Sequence, residues 1–195
     1  MGSLSSLLVN PKDSYILGLW GADRYLRTSS IGLSNTNKVL VKRFSEFLLT
    51  RFPSHRLRLR IYGSDDSLEF SDFRKSYCKV SKNKLTAFHI YVNCRSLVRE
   101  FLWSLENRNL LNKESLFSYF AGRFDGDGSV STGTRKFFRI VYGNVDDVRK
   151  DLNLLKDYAV SLYRYKKANT YCLYFSEKTL ENFIDKLKPY SLKLQ

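Results

Sequence analysis

Two aspartates, Asp23 and Asp127, stand at matching points of two similar stretches about half a chain apart. The first runs Ile16-Leu17-Gly18-Leu19-Trp20-Gly21-Ala22-Asp23-Arg24, and the second Phe120-Ala121-Gly122-Arg123-Phe124-Asp125-Gly126-Asp127-Gly128. Gly18 thus aligns with Gly122, and Ala22 with Gly126. Positions four apart share one face of a helix. Each stretch, read as a helix, carries a strip without bulk, and two such strips can approach closely because contact side chains set interhelical distance. Each aspartate then falls at a helix C-terminus, where unpaired carbonyls make the surroundings negative. Two carboxylates meeting there repel, and one stays protonated unless something neutralises both. A hard divalent cation does so, using carboxylate and backbone carbonyl oxygens. One Asp-Gly alone reads as a turn; two matched copies point to chemistry. The run Asp125-Gly126-Asp127-Gly128-Ser129 also imitates the opening of an EF-hand loop, which needs Gly at its sixth position and Glu at its twelfth. Val130 and Lys136 stand there, which rules that loop out.

Positioning those carboxylates requires two copies of one framework, and the chain supplies a repeating order. A helix over Lys12 to Ala22, with Pro11 near its start and Asp13 or Ser14 as cap, leads to a strand pair across Arg24–Leu33. Alternation turns Leu26 inward and Tyr25 and Arg27 outward, with Val130, Ser129 and Ser131 as their counterparts. Val39, Leu40, Phe44, Phe47 and Leu48 recur at helical spacing over Lys38 to Thr50, before Pro53. Arg56-Leu57-Arg58-Leu59-Arg60-Ile61-Tyr62 alternates as a strand with arginines on one face, either a charged edge or a phosphate- and base-contacting row. Residues 63–83 read as a loop or extended hairpin, Phe88–Val92 as a strand in which His89 is an ordinary polar position, and Ser96–Glu106 as a helix with Leu97, Phe101, Leu102 and Leu105 inward. After a connector at Arg108–Lys113 come a helix to Gly126, a strand at Arg135–Val141, and a helix at Asp146–Tyr158. A hairpin turning at Lys167-Ala168-Asn169 and a last helix, Lys178–Leu187, stopped by Pro189, complete the order. Each half reads helix, two strands, helix, two strands, helix.

Both signature stretches resemble the LAGLIDADG motif of homing endonucleases, the second more closely. The order that follows each resembles the single-chain, two-repeat type encoded in archaeal introns. The resemblance covers nearly the whole chain. It implies an α+β fold of two pseudo-symmetric αββαββα repeats, residues 1–107 and 108–195, packed through the signature helices with the sheets forming a DNA-binding saddle. It also implies a monomer in which Asp23 and Asp127 are catalytic and hold Mg²⁺, with Mn²⁺ or Ca²⁺ able to take the same sites, helped by the carbonyls of Ala22 and Gly126. Such ions activate the attacking water and stabilise the leaving oxygen. The implied outcome is a double-strand break with short 3′ overhangs. Some residues depart from the pattern. Arg24 stands where the motif has Gly, and Gly21 at a position that is often acidic. Asn35 fits the Gln or Asn expected after the second strand, but Thr36 replaces the lysine that should follow, and Gly143-Asn144 replaces the pair in the second half. Lys38, Lys42 and Lys84 are the candidates to stand in.

The composition agrees with a polyanionic partner. Thirty-three basic against nineteen acidic residues leave +14, with an isoelectric point near 9.7. Cys78, Cys94 and Cys172 are odd in number and lack metal spacing, so we expect a reduced, cytoplasmic protein without zinc. No apolar run is long enough for a membrane span. Double-stranded DNA is the expected partner, with intron RNA as a further one. Arg58, Arg60, Arg139, Arg164 and Lys166 are candidate base readers in a major groove, supplemented by Tyr25, Ser129 and Ser131, and Arg27, Asn35, Arg56, Arg135 and Lys136 are further candidate DNA contacts. Lys75, Lys79, Lys82, Lys84 and Lys167 are the phosphate contacts, which position without specifying. The halves differ, so the target should be long and asymmetric. A non-cleaving relative, either an RNA maturase or a DNA-binding regulator, is the alternative, and a basic ribonucleoprotein component would explain charge alone.

Overall fold

The computed structural model describes residues 5–24, 29–63, 73–79, 85–131 and 137–195. Its first part runs α1 (Ser6–Val9), α2 (Pro11–Asp23), β1 (Ser30–Asn35), α3 (Lys38–Leu49), β2 (Arg58–Tyr62), β3 (Arg74–Cys78), β4 (Ala87–Asn93) and α4 (Arg95–Glu106). The second runs α5 (Lys113–Asp127), β5 (Gly128–Ser131), β6 (Phe137–Tyr142), α6 (Val145–Leu154), β7 (Val160–Tyr165), β8 (Thr170–Phe175) and α7 (Glu177–Leu187). The second follows the expected αββαββα order. The first does not, because residues read as loop or hairpin contain β3, which pairs parallel to β2. The strand expected directly after Asp23 is represented by an antiparallel bridge from Arg24 to Leu33, and residues 25–28 lie outside the described set.

The two sheets have related orders, β1-β4-β2-β3 and β5-β6-β8-β7. With Arg24 beside β1, the first becomes the second plus β3 at its far side. The arginine strand β2 is therefore internal, between β3 and β4, and is not a charged edge. One face of each sheet is buried under helices. Ile31, Leu33, Leu59, Ile61, Phe88 and Ile90 line it in the first sheet, and Phe138, Ile140, Leu173 and Phe175 in the second. Phe183 of α7 stacks on Phe175 at 4.3 Å and meets Phe138 and Phe120 edge-on. Burying each such ring is worth about 1.5–3 kcal/mol.

Glycines set the contact between the halves. A Cβ on Gly18 would lie 1.9 Å from the Tyr119 carbonyl oxygen, and one on Gly122 would lie 2.0 Å from that of Tyr15. Backbone therefore packs on backbone, as the bare strips predicted. Local details differ. Asn10 caps α2, accepting from the Lys12 N–H at 3.0 Å with Pro11 in the first turn. Asp13 instead pairs with Arg51 at 3.0 Å, and Ser14 Oγ donates to the Leu7 and Asn10 carbonyls. Val39 and Leu102, expected inside, are exposed: Leu102 sits at the border of the α4 apolar stripe, while Val39 falls on the far side of α3 from Leu40, Phe44 and Phe47. Val130 shares the helix-covered face with Phe138, yet the edge position of β5 leaves it 38% exposed.

Candidate active site and nucleic-acid face

Asp23 and Asp127 are the last residues of α2 and α5, side by side at the end of the glycine contact. A Cβ on Gly126 would lie 2.4 Å from Ala22 Cβ and 3.0 Å from Asp23 Oδ2, so Asp23 rests against the residue preceding Asp127. Burial raises the Asp23 carboxyl, while a 2.7 Å hydrogen bond from Asn35 Nδ2 and the positive charges of Lys193 and Arg123 pull it back. Burial, with the neighbouring charge of Asp23 adding to it, raises Asp127 to about 6 against the positive charges of Arg123 and Lys193. A cavity of about 260 Å³ opens beside Asp127, lined by Gly21, Ala22, Arg24, Arg123, Asn144 and Asp147 among others.

The supports are buried and charged. Asp151 is fully buried and accepts from Tyr119 and Tyr142 hydroxyls at 3.0 and 2.8 Å. Arg108 Nε lies 2.9 Å and Arg123 Nε 3.4 Å from its oxygens, as charge contacts whose angles are poor for hydrogen bonds. Arg108 also binds Asp147 at 3.1 Å, and Asp147 binds Arg24 at 3.3 Å. A connector residue, Arg108, thus joins the helices beneath the site. Asp125, also fully buried, accepts from Tyr15 OH (2.7 Å), Ser191 Oγ (2.6 Å), and the Leu192 (2.6 Å) and Lys193 (3.2 Å) N–H groups. Sequence reasoning treated Asp125 only as a false metal-loop opening and did not find Lys193. Nothing in their spacing signals that residues 191–193 fold back onto the signature.

The donor set suits a hard divalent cation. Two half-buried carboxylates beside helix-end carbonyls offer oxygen only, and no group of three or more His, Cys, Asp or Glu placed to hold a metal ion occurs among the described residues. Magnesium commonly takes one or two carboxylates and fills its remaining positions with water and phosphate oxygens.

Of the expected DNA contacts, Arg58 and Arg60 lie on the helix-free face of the first sheet, opposite Tyr91 and His89 on β4. Arg60 covers the Tyr91 ring at 5.2 Å. Arg56 leaves that row. It closes a 3-10 turn, Ser54–Arg56, donates to the Asn93 carbonyl at 3.2 Å, and lies over Phe52. In the second sheet Arg139 shares the helix-free face with Ser129 and Tyr174, donating to their hydroxyls at 2.8 and 3.3 Å. Ser131 is on that face too. Arg164 is not, because its partner is Tyr171, opposite Tyr142, so period-two alternation places it on the other face at the sheet's edge. Lys166 and Lys167 are exposed at the β7–β8 turn. Tyr163 and Tyr165, which the sequence reading missed, stand exposed beside Tyr174 on the helix-free face. Tyr25, Arg27, Lys82, Lys84, Arg135 and Lys136 lie outside the described residues.

Two glycine-packed helices ending in paired aspartates, each helix leading to a sheet with one open face, define the LAGLIDADG homing-endonuclease fold. The particular solved structures that share it include I-DmoI in complex with DNA and Mn, 18% identical over 91% of this chain and 96% of that one, with a TM-score of 0.61. The homing endonuclease I-WcaI bound to its DNA recognition sequence matches at 16% identity, covering 98% and 85% of the two chains, with a TM-score of 0.60. Full-length DUF199/WhiA from Thermatoga maritima also shares the fold at 15% identity and a TM-score of 0.57, with 94% of this chain matching 57% of that protein. No protein-family model and no curated protein matches the sequence.

Proposed function

We propose that this protein is a site-specific endodeoxyribonuclease, a homing endonuclease acting as a monomer of two pseudo-symmetric halves, residues 1–107 and 108–195. It makes a double-strand break with short 3′ overhangs in a long, asymmetric DNA target. The single observation that carries this reading is the pair of half-buried carboxylates, Asp23 and Asp127, closing two helices between two open-faced basic sheets. Structures sharing the fold at low identity were solved with DNA and Mn, with DNA and Ca, and, for a variant, with target DNA in the presence of Mg.

Asp23 and Asp127, with the carbonyls of Ala22 and Gly126, would hold Mg²⁺. When bound, such an ion supplies an activated water and a stabilised leaving oxygen. Asn35 orients Asp23 through its 2.7 Å hydrogen bond and offsets part of the rise that burial gives its carboxyl. Arg58, Arg60 and Arg139 read base edges from the open faces, with Ser129 and Tyr174 fixing the Arg139 fork. Lys166, a base-reader candidate from the sequence, stands in the exposed β7–β8 turn and, with Lys167 and Lys79, contacts phosphates, carrying no sequence information. With roughly 6–10 phosphate contacts, affinity falls by about 10³–10⁵ between 50 and 200 mM salt.

The test is cleavage of a duplex recovered from a randomised library by binding selection in Ca²⁺. Addition of Mg²⁺ should cut both strands, and Asp23→Asn or Asp127→Asn should abolish cutting while leaving binding nearly intact. Tight binding without any cutting in Mg²⁺ or Mn²⁺ would instead favour the second reading, a DNA-binding regulator or intron RNA maturase. That reading draws on Thr36, Gly143 and Asn144 standing where a lysine-bearing pair is expected.

A further inference from the structure

The positions expected to bring a lysine to the scissile phosphate hold Thr36 and Asn144. Of the candidate substitutes, Lys38 lies over the Phe88 ring at 5.8 Å, and Lys84 is outside the described residues. A different lysine does reach the site. Lys193 Nζ donates to the Gly126 carbonyl at 3.5 Å, and its charge bears on both Asp23 and Asp127. Its placement is built. The fully buried Asp125 accepts the Leu192 and Lys193 N–H groups and the Ser191 hydroxyl, with Tyr15 OH holding the same carboxylate. Ser191 Oγ in turn accepts from the Lys193 and Leu194 N–H groups at 3.2 Å. A backbone pinned at consecutive residues fixes where the Lys193 side chain starts, and that side chain stays exposed with its ammonium 5.9 Å from the centre of the Phe124 ring.

We propose that Lys193, delivered by the Asp125 clasp from the segment after α7, is the basic side chain of the cleavage centre. It contacts the phosphate held at Asp23 and Asp127. An ammonium is a compact charge with three rotatable donors, suited to a phosphate oxygen whose negative charge grows in the transition state. This inference rests on the nuclease reading above.

The test compares wild type with Lys193→Met and Lys193→Arg in three measurements. These are single-turnover cleavage of the selected duplex in Mg²⁺, binding of that duplex in Ca²⁺, and Mn²⁺ affinity of the DNA-free protein by spin resonance. Lys193→Met should slow cleavage about 100-fold, with duplex affinity within about threefold and an unchanged melting temperature. Lys193→Arg should recover most of the rate. Losing a like charge beside the cation site should also tighten Mn²⁺ binding by about threefold or more. Cleavage by Lys193→Met within about twofold of wild type overturns the proposal, as does a loss that accompanies a lowered melting temperature and is not rescued by arginine. If wild type itself does not cut, the nuclease reading fails separately. The manganese titration then decides whether Lys193 belongs to the site: tighter binding by Lys193→Met supports it, and unchanged binding overturns it.

Discussion

The charge of Asp23 bears directly on Asp127, which burial and that neighbour together push up to about 6. A carboxylate whose folded value is raised binds more protons folded than unfolded, so its contribution to stability falls as pH rises from about 4 to about 6. Asp127→Asn should therefore stabilise the metal-free protein at pH 7, by about 1–3 kcal/mol. The gain should shrink to nothing below about pH 4, where wild type is protonated in both states. Thermal melts of the two proteins across this range, with chelator present, check the sign. Magnesium should stabilise wild type and leave the variant unmoved, and its binding should weaken below pH 6 as protons compete.

Gly18 tests the helix contact. Gly18→Ala introduces a Cβ 1.9 Å from the Tyr119 carbonyl, a backbone atom that cannot swing aside. It should cost about 2–4 kcal/mol and disturb the alignment of the two aspartates. Gly143→Ala, where a Cβ meets nothing within 4 Å, serves as control and should stay within about 0.5 kcal/mol. Denaturant unfolding of both variants reads the difference.

Asp151 neutralises two buried guanidiniums and accepts from two tyrosine hydroxyls. Asp151→Ala leaves Arg108 and Arg123 in a buried site without that partner, and should destabilise by about 3–5 kcal/mol. Asp151→Asn keeps the volume but loses the charge, and should fall between. Urea midpoints with an unchanged m-value would locate the effect in the folded state.

Arg139 and Lys167 should separate reading from positioning. Arg139→Ala should cost about 1–3 kcal/mol on the preferred duplex and relax the preference at one base pair. Lys167→Ala should weaken binding to all duplexes alike and lower the salt slope by about one. Binding titrations at several salt concentrations on matched and substituted duplexes distinguish the two.

Much of this arrangement was legible in the chain, because it rests on short-range rules. Gly18, Ala22, Gly122 and Gly126 announced a close helix contact by spacing alone, and the Asp23 and Asp127 positions followed from helix ends. Asn35 was found through the resemblance to the LAGLIDADG family, whose members carry Gln or Asn after that strand. What escaped depends on long-range folding. Lys193 reaches the site only because Asp125 captures backbone N–H groups more than sixty residues away, as the hydrogen bonds at separations of 67 and 68 record. β3 joins β2 across residues that carry no strong alternation, so a polar stretch that looked like loop became a parallel strand. Arg56 and Arg164 lie off the helix-free faces for different reasons. A turn broke the period before the first, and strand phase, set by Tyr163 and Tyr165 facing out, turned the second to the other face. Arg108 looked like connector charge until α6 brought Asp147 and Asp151 to it.

The most direct test is anomalous diffraction from crystals of the protein with its selected duplex and Mn²⁺. The account predicts manganese density about 2–2.5 Å from carboxylate oxygens of both Asp23 and Asp127, beside phosphates of the duplex. Manganese bound elsewhere, or those carboxylates turned away from the metal and the DNA, would contradict it.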